Sequence, residues 1–366
     1  MSTPPRIPSA ISSVGHVLRE VATLPQALSR RGYPRLAVFP SGSNFPSGDL
    51  RGRLLGQELR KCGWSTMIVP VQLEESQRRR LLRLFQPDLL WFQTCRHSLN
   101  DADHAFGYPW VLDLDDADFQ DDEVRDRLER TAAGAAGVIA GSRYIRDWAR
   151  AFNPAVRVIW TGTPQTGGTV PDHHDRPHVI AWAQSSPLGY RAELDFIVAL
   201  HARLVARGEK FRLRLYGIGT PEEQAQVRSL FPSNADLELF PFMKYRDFLT
   251  SLRDVAVGLS PIIPTAAFSK GKSFGKILGY LDAGVPVICS DQADHALFFR
   301  IESGVVSNDP EVWIEAISRL IRNPAERNAM SAHAGHDFRA RLTIGKAAVL
   351  TDRFLRPLVK ARSDHT

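Results

Sequence analysis

No run of eighteen or more uncharged apolar residues occurs in this 366-residue chain, which excludes an ordinary membrane-crossing helix from its reading. The opening residues, Met1 to Ala10, hold no apolar core followed by a small-residue cleavage site, so export is not expected and the cytoplasm is the expected compartment. Cysteine is scarce: Cys62, Cys95 and Cys289 are odd in number and far apart. That excludes a disulfide framework and a cysteine-based metal site, and reads as buried thiols in a reducing compartment. Short-period repeats and low-complexity tracts are also missing.

What is present is an ordinary globular balance, 43% apolar and 23% charged, in a chain long enough for two cores rather than one. Its formal charge of +6 and pI near 9.4 call for an anionic partner: nucleic acid, a phosphorylated small molecule or an anionic membrane face. Arg78, Arg79, Arg80 and Arg83 form the densest basic run, whose plain reading is a solvated helix face. No nucleic-acid-reading motif accompanies the charge and no aromatics interleave with the run, so nucleic acid is not expected.

Short apolar runs alternate with helical-period segments throughout, the pattern of βα units and a parallel sheet. Strands are expected at 36–39, 66–69, 88–92, 110–114, 137–140 and 156–160, then at 179–183, 212–216, 237–240, 255–259 and 286–289. Between the two sets lies Thr163 to Pro177, rich in Gly, Pro and Thr and without apolar period. It reads as a linker. The boundaries that follow are an N-terminal domain over 1–165 with 1–35 as an extension, a linker over 166–177, a second domain over 178–340, and a C-terminal helix over 341–366 expected to return to the first domain. A helix over Ile11 to Leu24 is expected to end at Pro25, and helices over 311–360 to break near Asn323-Pro324 and Thr343 to Gly345.

The most informative stretch is Gly271 to Asp291, GKSFGKILGYLDAGVPVICSD. Lys272 and Lys276 stand four apart, so in a helix their ammonium groups would share a face near its N-terminus. There, free amides and the helix dipole add to the two charges, and a diphosphate is well held. The stretch resembles the donor-site segment of retaining glycosyltransferases of family four, also called group 1. Closest is the variant with a Gly-Lys pair, a second lysine four residues on, then a Tyr and a Gly-x-Pro-Val turn. Gly271, Lys272, Lys276, Tyr280, Gly284, Pro286 and Val287 match it in order. Trp182 to Pro187 looks like that family's first turn of the second domain, where Ser185 and Ser186 would let amides approach a phosphate. Leu215 to Gly219, containing Gly217, resembles its next element. Asp113 to Phe119 resembles the acidic loop of the variant.

The resemblance implies an α/β protein of the GT-B fold, two Rossmann-like doubly wound parallel-sheet domains facing a cleft. It implies transfer of a sugar, with retention, from a nucleoside-diphosphate donor to a saccharide or lipid-linked acceptor in cell-surface polysaccharide or glycoconjugate synthesis. Lys272 and Lys276 would be the catalytic cations. Ser185, Ser186, Gly217, Gly271, Tyr280, Asp282 and Pro286 would bind the donor. No metal or cofactor is expected, the nucleotide-sugar being a co-substrate; peripheral contact with an anionic membrane through the arginine run is.

One departure matters. Gly279 stands where most members carry a ribose-binding glutamate, and Asp282, three residues on, is the substitute to consider. The same departure supports an alternative, a catalytically inert binding or scaffold protein of this fold.

On the acceptor side, Ser41 and Gly42 open a glycine-rich loop that lacks dinucleotide spacing. It reads equally as a cleft contact or an ordinary connection. His97 is the better histidine candidate for a sugar contact. Asp115 and Asp116 stand at the end of a strand, where Asp113-Leu114-Asp115 reads Asp-x-Asp. That is compatible with phosphatase or metal chemistry, with helix capping, or with a border to the cleft; capping plus border is the expectation.

Overall fold

A computed structural model describes residues 23–30, 32–42, 48–165, 170–265, 267–272 and 274–363; the side chains of Ala267, Phe268, Lys276 and 360–363 lie outside that description. The chain divides into two compact units. One comprises Met1–Pro164, Gly271–Ser273 and Leu342–Thr366, and the other Gln165–Lys270 and Phe274–Arg341.

The first unit carries six parallel strands, β1 (Arg35–Phe39), β2 (Ser65–Ile68), β3 (Leu89–Gln93), β4 (Trp110–Leu114), β5 (Gly137–Ala140) and β6 (Val156–Val158), in the order β2-β1-β3-β4-β5-β6. Strands such as Leu-Leu-Trp-Phe-Gln in β3 are buried at every position. A parallel sheet covered on both faces demands such continuous apolar runs. On one face lie Phe39, Leu82, Phe85, Phe92 and Leu128; on the other lie Leu36, Trp64, Trp91, Ile139 and Leu355. Each such side chain contributes roughly 1.5–3 kcal/mol by leaving water.

Flanking helices begin with α1 (Thr23–Ser29) against β2. Residues 1–22, where most of the expected N-terminal helix falls, lie outside the described residues. Pro25 does not end a helix but lies within α1. After β1 a helical stretch opens as a π-helix (Gly48–Leu54), continues as α2 (Leu55–Glu58) and tightens to 3-10 form (Leu59–Cys62). Gly63, at φ 82°, ends it. Then come α3 (Glu75–Phe85), α4 (Asp122–Gly134) and α5 (Arg143–Ala149).

The second unit holds β7 (Val179–Ala183), α6 (Arg191–Ala206), β8 (Arg212–Tyr216), α7 (Pro221–Arg228), β9 (Leu237–Phe240), α8 (Tyr245–Ser251) and β10 (Val257–Ser260). It continues through α9 (Ala267–Lys270), α10 (Gly275–Asp282), β11 (Val287–Cys289), α11 (His295–Phe298), β12 (Val305–Val306), α12 (Pro310–Arg322) and α13 (Pro324–Arg341). Its parallel order is β12-β11-β10-β7-β8-β9. The winding reverses between β7 and β10, as it does between β1 and β3 in the first unit. Trp182, Leu194, Leu213, Trp313 and Ile317 belong to its core. Strand β12, two residues long, was not expected from the sequence, and β10 starts two residues later than expected.

Of the stretch read as a linker, 166–169 lie outside the described residues and 170–177 are fastened into the second unit. Arg176 donates to the carbonyls of Val255 (2.8 Å) and Ala283 (3.2 Å), and buried His173 donates through Nε2 to Gly284 (2.9 Å). Polar side chains reaching distant carbonyls leave no periodicity, so the segment looked loose in sequence. The final helix, α14 (Ile344–Ser363), returns to the first unit, where Asp352 accepts the Trp64 indole N–H at 2.8 Å. At the point of return, Thr163 donates to Leu342 O and accepts from the Ile344 N–H, both at 3.0 Å.

Candidate functional site

In the first unit, the carboxyl ends of β3 and β4 gather charge. Asp113, the last but one residue of β4, is fully buried and paired with Arg51 of the π-helical turn. The Arg51 Nε donates to Asp113 at 3.1 Å, and Nη1 donates to Ile159 O at 2.9 Å and Thr161 Oγ1 at 3.1 Å. Sequence reasoning missed Arg51; its partners lie up to 110 residues away. Asp113 is therefore a structural ion-pair member.

Arg96, in the loop after β3, donates to Asp116 at 2.9 Å and to Asp118 at 3.0 Å. This loop leaves β3 through Thr94 at φ 58°, a conformation costly for a β-branched residue. Asp115 is 4% exposed, and its Oδ1 has no hydrogen-bond partner among the described residues. Burial and the neighbouring Asp116 push its carboxyl up to about 7, against Arg51 and Arg96. Capping of α4 falls instead to Asp121, whose side chain accepts the Glu123 N–H at 3.0 Å. Asp115 and Asp116 are not caps, because a 3-10 turn (Asp118–Gln120) intervenes. Among the described residues no group of three His, Cys, Asp or Glu side chains is arranged to hold a metal ion.

Gly271 and Lys272 group with this unit. A Cβ on Gly271 would stand 2.0 Å from that of Ala117, so only glycine permits the approach. Lys272 is buried, with Nζ 3.6 Å from Asp116 Oδ1. It precedes α10 rather than lying in it. The two lysines therefore do not share a helical face: Lys276 is the second residue of α10, its side chain outside the described residues.

Two acceptor-side expectations change. His97 is spent on its own loop: Nδ1 accepts the Leu99 N–H at 3.0 Å, and Nε2 lies 3.4 Å from the buried Arg78. Burial and that guanidinium bring its pKa down to about 4. Arg78 itself donates to Leu73 O, Leu99 O and Val71 O, which removes it from the exposed arginine face. Ser41 donates its N–H to Gln93 Oε1 at 3.1 Å and Gly42 O accepts from Arg53 at 2.8 Å, fixing one end of the glycine-rich loop. Residues 43–47 of that loop lie outside the described residues.

In the second unit, exposed Ser185 and Ser186 follow β7, and Gly217 follows β8 at φ +90°. A Cβ on Gly217 would come within 2.1 Å of Gln184 O, so the two turns touch backbone to backbone. Tyr280 faces the sheet. It is 1% exposed, and its hydroxyl accepts the Ala183 N–H at 2.9 Å beside the carbonyls of Ala181 (3.1 Å) and Leu259 (3.3 Å). It ties β7 to β10 and to the root of the serine turn. Pro286 is buried and gives its carbonyl to the Gly258 N–H at 2.9 Å, a sheet role. Asp282, half-buried, ends α10.

Gly279 is no simple loss of a side chain. A Cβ there would lie 2.7 Å from the Phe248 ring edge and within 3.4 Å of Leu249 and Leu252. The space is filled by α8 and the residue after it.

Residues 197–348 match a family model described as glycosyl transferase-like. No curated protein matches the chain. Among solved structures, sucrose-phosphate synthase from Thermosynechococcus elongatus is similar at 15% identity and TM-score 0.71, over 90% of this chain and 100% of that one. HepE from Anabaena in complex with UDP and glucose matches at 14% identity and TM-score 0.64, over 89% and 100%. A glycosyltransferase from Rickettsia africae matches at 13% and TM-score 0.64, over 97% of each chain. The fold is that of the GT-B glycosyltransferases, in the α/β class.

Proposed function

We propose that this chain moves a sugar from a nucleoside-diphosphate donor to a saccharide or lipid-linked acceptor. The observation that carries the reading is that the glycosyl transferase-like match spans Lys272 and Lys276. Local chemistry agrees with it. Among the described residues no side chain caps α10 and no acidic residue stands in its first turn, while Lys276 does. A cation there opposes the helix dipole by about 0.3–1 kcal/mol, a cost that a bound anion reverses. In the transfer, the bond from the anomeric carbon to the diphosphate oxygen breaks and its electron pair leaves on the diphosphate. The acceptor oxygen forms the new bond and loses its proton. The two lysines would stabilise the developing charge, and the amides of the Ser185–Ser186 turn would add hydrogen bonds. Retention of configuration and a role in polysaccharide or glycoconjugate synthesis complete the proposal.

The test is a thermal-shift screen against UDP, GDP, ADP and their sugar conjugates, with a Lys272→Ala, Lys276→Ala double variant. One nucleotide should raise Tm in the wild type and leave the variant unmoved; at a ligand excess of 100 Kd the gain is about 2.7 kcal/mol. A flat screen sinks the reading and favours an inert GT-B binding protein.

The acceptor side would meet a membrane through α3. Arg79, Arg80 and Arg83 are exposed there beside Leu84, which is 60% exposed. Changing the three arginines to glutamate should abolish sedimentation with phosphatidylserine vesicles. Undiminished sedimentation removes the membrane from the proposal.

A further inference from the structure

Open α/β sheets bind ligands outside the carboxyl ends of their strands. At that end of β4 and β5 the first unit carries a row of aromatic rings. Tyr144, Trp148 and Phe152 stand four residues apart along α5 and the turn after it, so their side chains fall in line. Phe119, in the 3-10 turn after β4, joins two of them. Its ring lies 4.5 Å from that of Trp148, at 5°, and 5.8 Å from that of Tyr144, at 32°. Trp148 meets Phe152 at 5.0 Å. Phe119 is buried, whereas Tyr144, at the end of the row, is 36% exposed. The Tyr144 hydroxyl accepts the Gln120 side-chain N–H at 3.1 Å.

A single exposed aromatic residue is ordinary on a protein surface. Tyr144 differs in being backed by Phe119 and tethered by Gln120, so its ring is already held in one orientation and loses little freedom on binding. The acidic loop lies against the same turn. The Gly141 N–H donates to Leu114 O at 2.6 Å, and a Cβ on Gly141 would stand 2.9 Å from the Cα of Asp115. Asp115 Oδ1 and Asp118 Oδ2, both buried, accept no hydrogen bond among the described residues. A flat apolar ring beside carboxylates with acceptor capacity suits a ligand that has one apolar face and hydroxyl donors around it. A pyranose ring has both, with C–H groups on a face and hydroxyls at the rim. The carboxylates disfavour a phosphate or an acidic polymer at this spot. We propose that Tyr144 is the platform on which a pyranose ring of the acceptor stacks, with Gln120 holding the phenol in place. The proposal rests on reading the chain as a sugar transferase and uses residues of the first unit alone.

The experiment compares Tyr144→Phe, Tyr144→Leu and Tyr144→Ala in the full chain. Phenylalanine keeps the ring, leucine keeps only an apolar contact with Phe119, and alanine keeps neither. Tyr144 is partly exposed, so all three should hold a urea midpoint close to that of the wild type. Saturation-transfer NMR with the methyl glycosides of glucose, galactose, mannose and N-acetylglucosamine, without nucleotide, should show transfer to the ring C–H protons of at least one. Its Kd should rise about tenfold in Tyr144→Leu and Tyr144→Ala and stay within about twofold in Tyr144→Phe. Equal Kd in wild type and Tyr144→Leu overturns the proposal, as does absence of transfer from the wild type to every glycoside. Titration of the same proteins with UDP, GDP and ADP separates the platform from the transferase reading. Nucleotide affinity should be the same in all of them, because the Ser185–Ser186 turn belongs to the other unit. A wild type that binds a glycoside through Tyr144 and no nucleotide overturns the transferase reading and leaves a saccharide-binding site.

Discussion

Arg51 shows how much of the first unit hangs on one side chain. It is 1% exposed and meets Asp113, a residue with no exposure at all, together with the carbonyl of Ile159 and the hydroxyl of Thr161. Removing one member of a buried ion pair strands the other charge, at a cost of about 3–5 kcal/mol. Arg51→Met should accordingly lower the urea midpoint sharply, while Arg51→Met with Asp113→Leu should recover most of the loss. A double variant as weak as the single one would mean that the carbonyl and hydroxyl contacts dominate. At this scale the sequence was least readable. Asp113 to Asp118 stood out as an acidic loop behind a strand, yet which carboxylate pairs inward and which faces outward depends on Arg51 and Arg96. These reach the loop only once β1, β3 and β4 lie side by side. Tyr280 carries the same lesson: its place in the motif was plain, but its hydroxyl proved to be shared among backbone groups of β7 and β10.

Among elements, the packing of α8 against α10 explains a glycine that looked like a lost function. Gly279→Glu would drive a side chain into Phe248, so the variant should lose about 1–3 kcal/mol by overpacking. With Phe248→Ala in the same chain the two losses should fail to add, by at least about 0.5 kcal/mol in a double-mutant cycle. Strict additivity would show that the helices do not meet at this point. Strand positions were legible because a parallel sheet buried on both faces leaves unbroken apolar runs, as in Val179–Ala183. Helix breaks at Asn323-Pro324 and before Ile344 were legible because proline and a threonine-glycine stretch interrupt the period. The pair Val305–Val306 is too short to show any pattern. The shift of Lys272 out of α10 follows from the contact of Gly271 with Ala117, more than 150 residues earlier, which no local rule contains.

For the whole molecule, acid should weaken the fold before it reaches the carboxylate range. His97, His173 and His295 are held near a pKa of about 4, chiefly by burial, against 6.5 for an ordinary histidine. At these three imidazoles the unfolded chain therefore binds more protons than the folded one between these values, an effect that Asp115, raised to about 7, offsets in part. The stabilisation is complete above about pH 6.5 and is lost as pH falls toward 4. Urea midpoints measured from pH 7.5 down to 4.5 should decline steadily below 6.5; a flat profile to pH 5 would show these imidazoles to be protonated without penalty.

The return of the chain to the first unit has a consequence for biosynthesis. Residues 165–270 and 274–341, which make up the second unit, are read out between Thr163 and the Leu342–Ile344 segment that bonds to it. The α14 residues Ala347, Ala348 and Leu355, which complete the face around Trp64 and Trp91, emerge from the ribosome later still. The unit that begins first is thus sealed last. Until then its apolar face stays open to solvent and to chaperones, while the second unit already has all its strands and can fold at once.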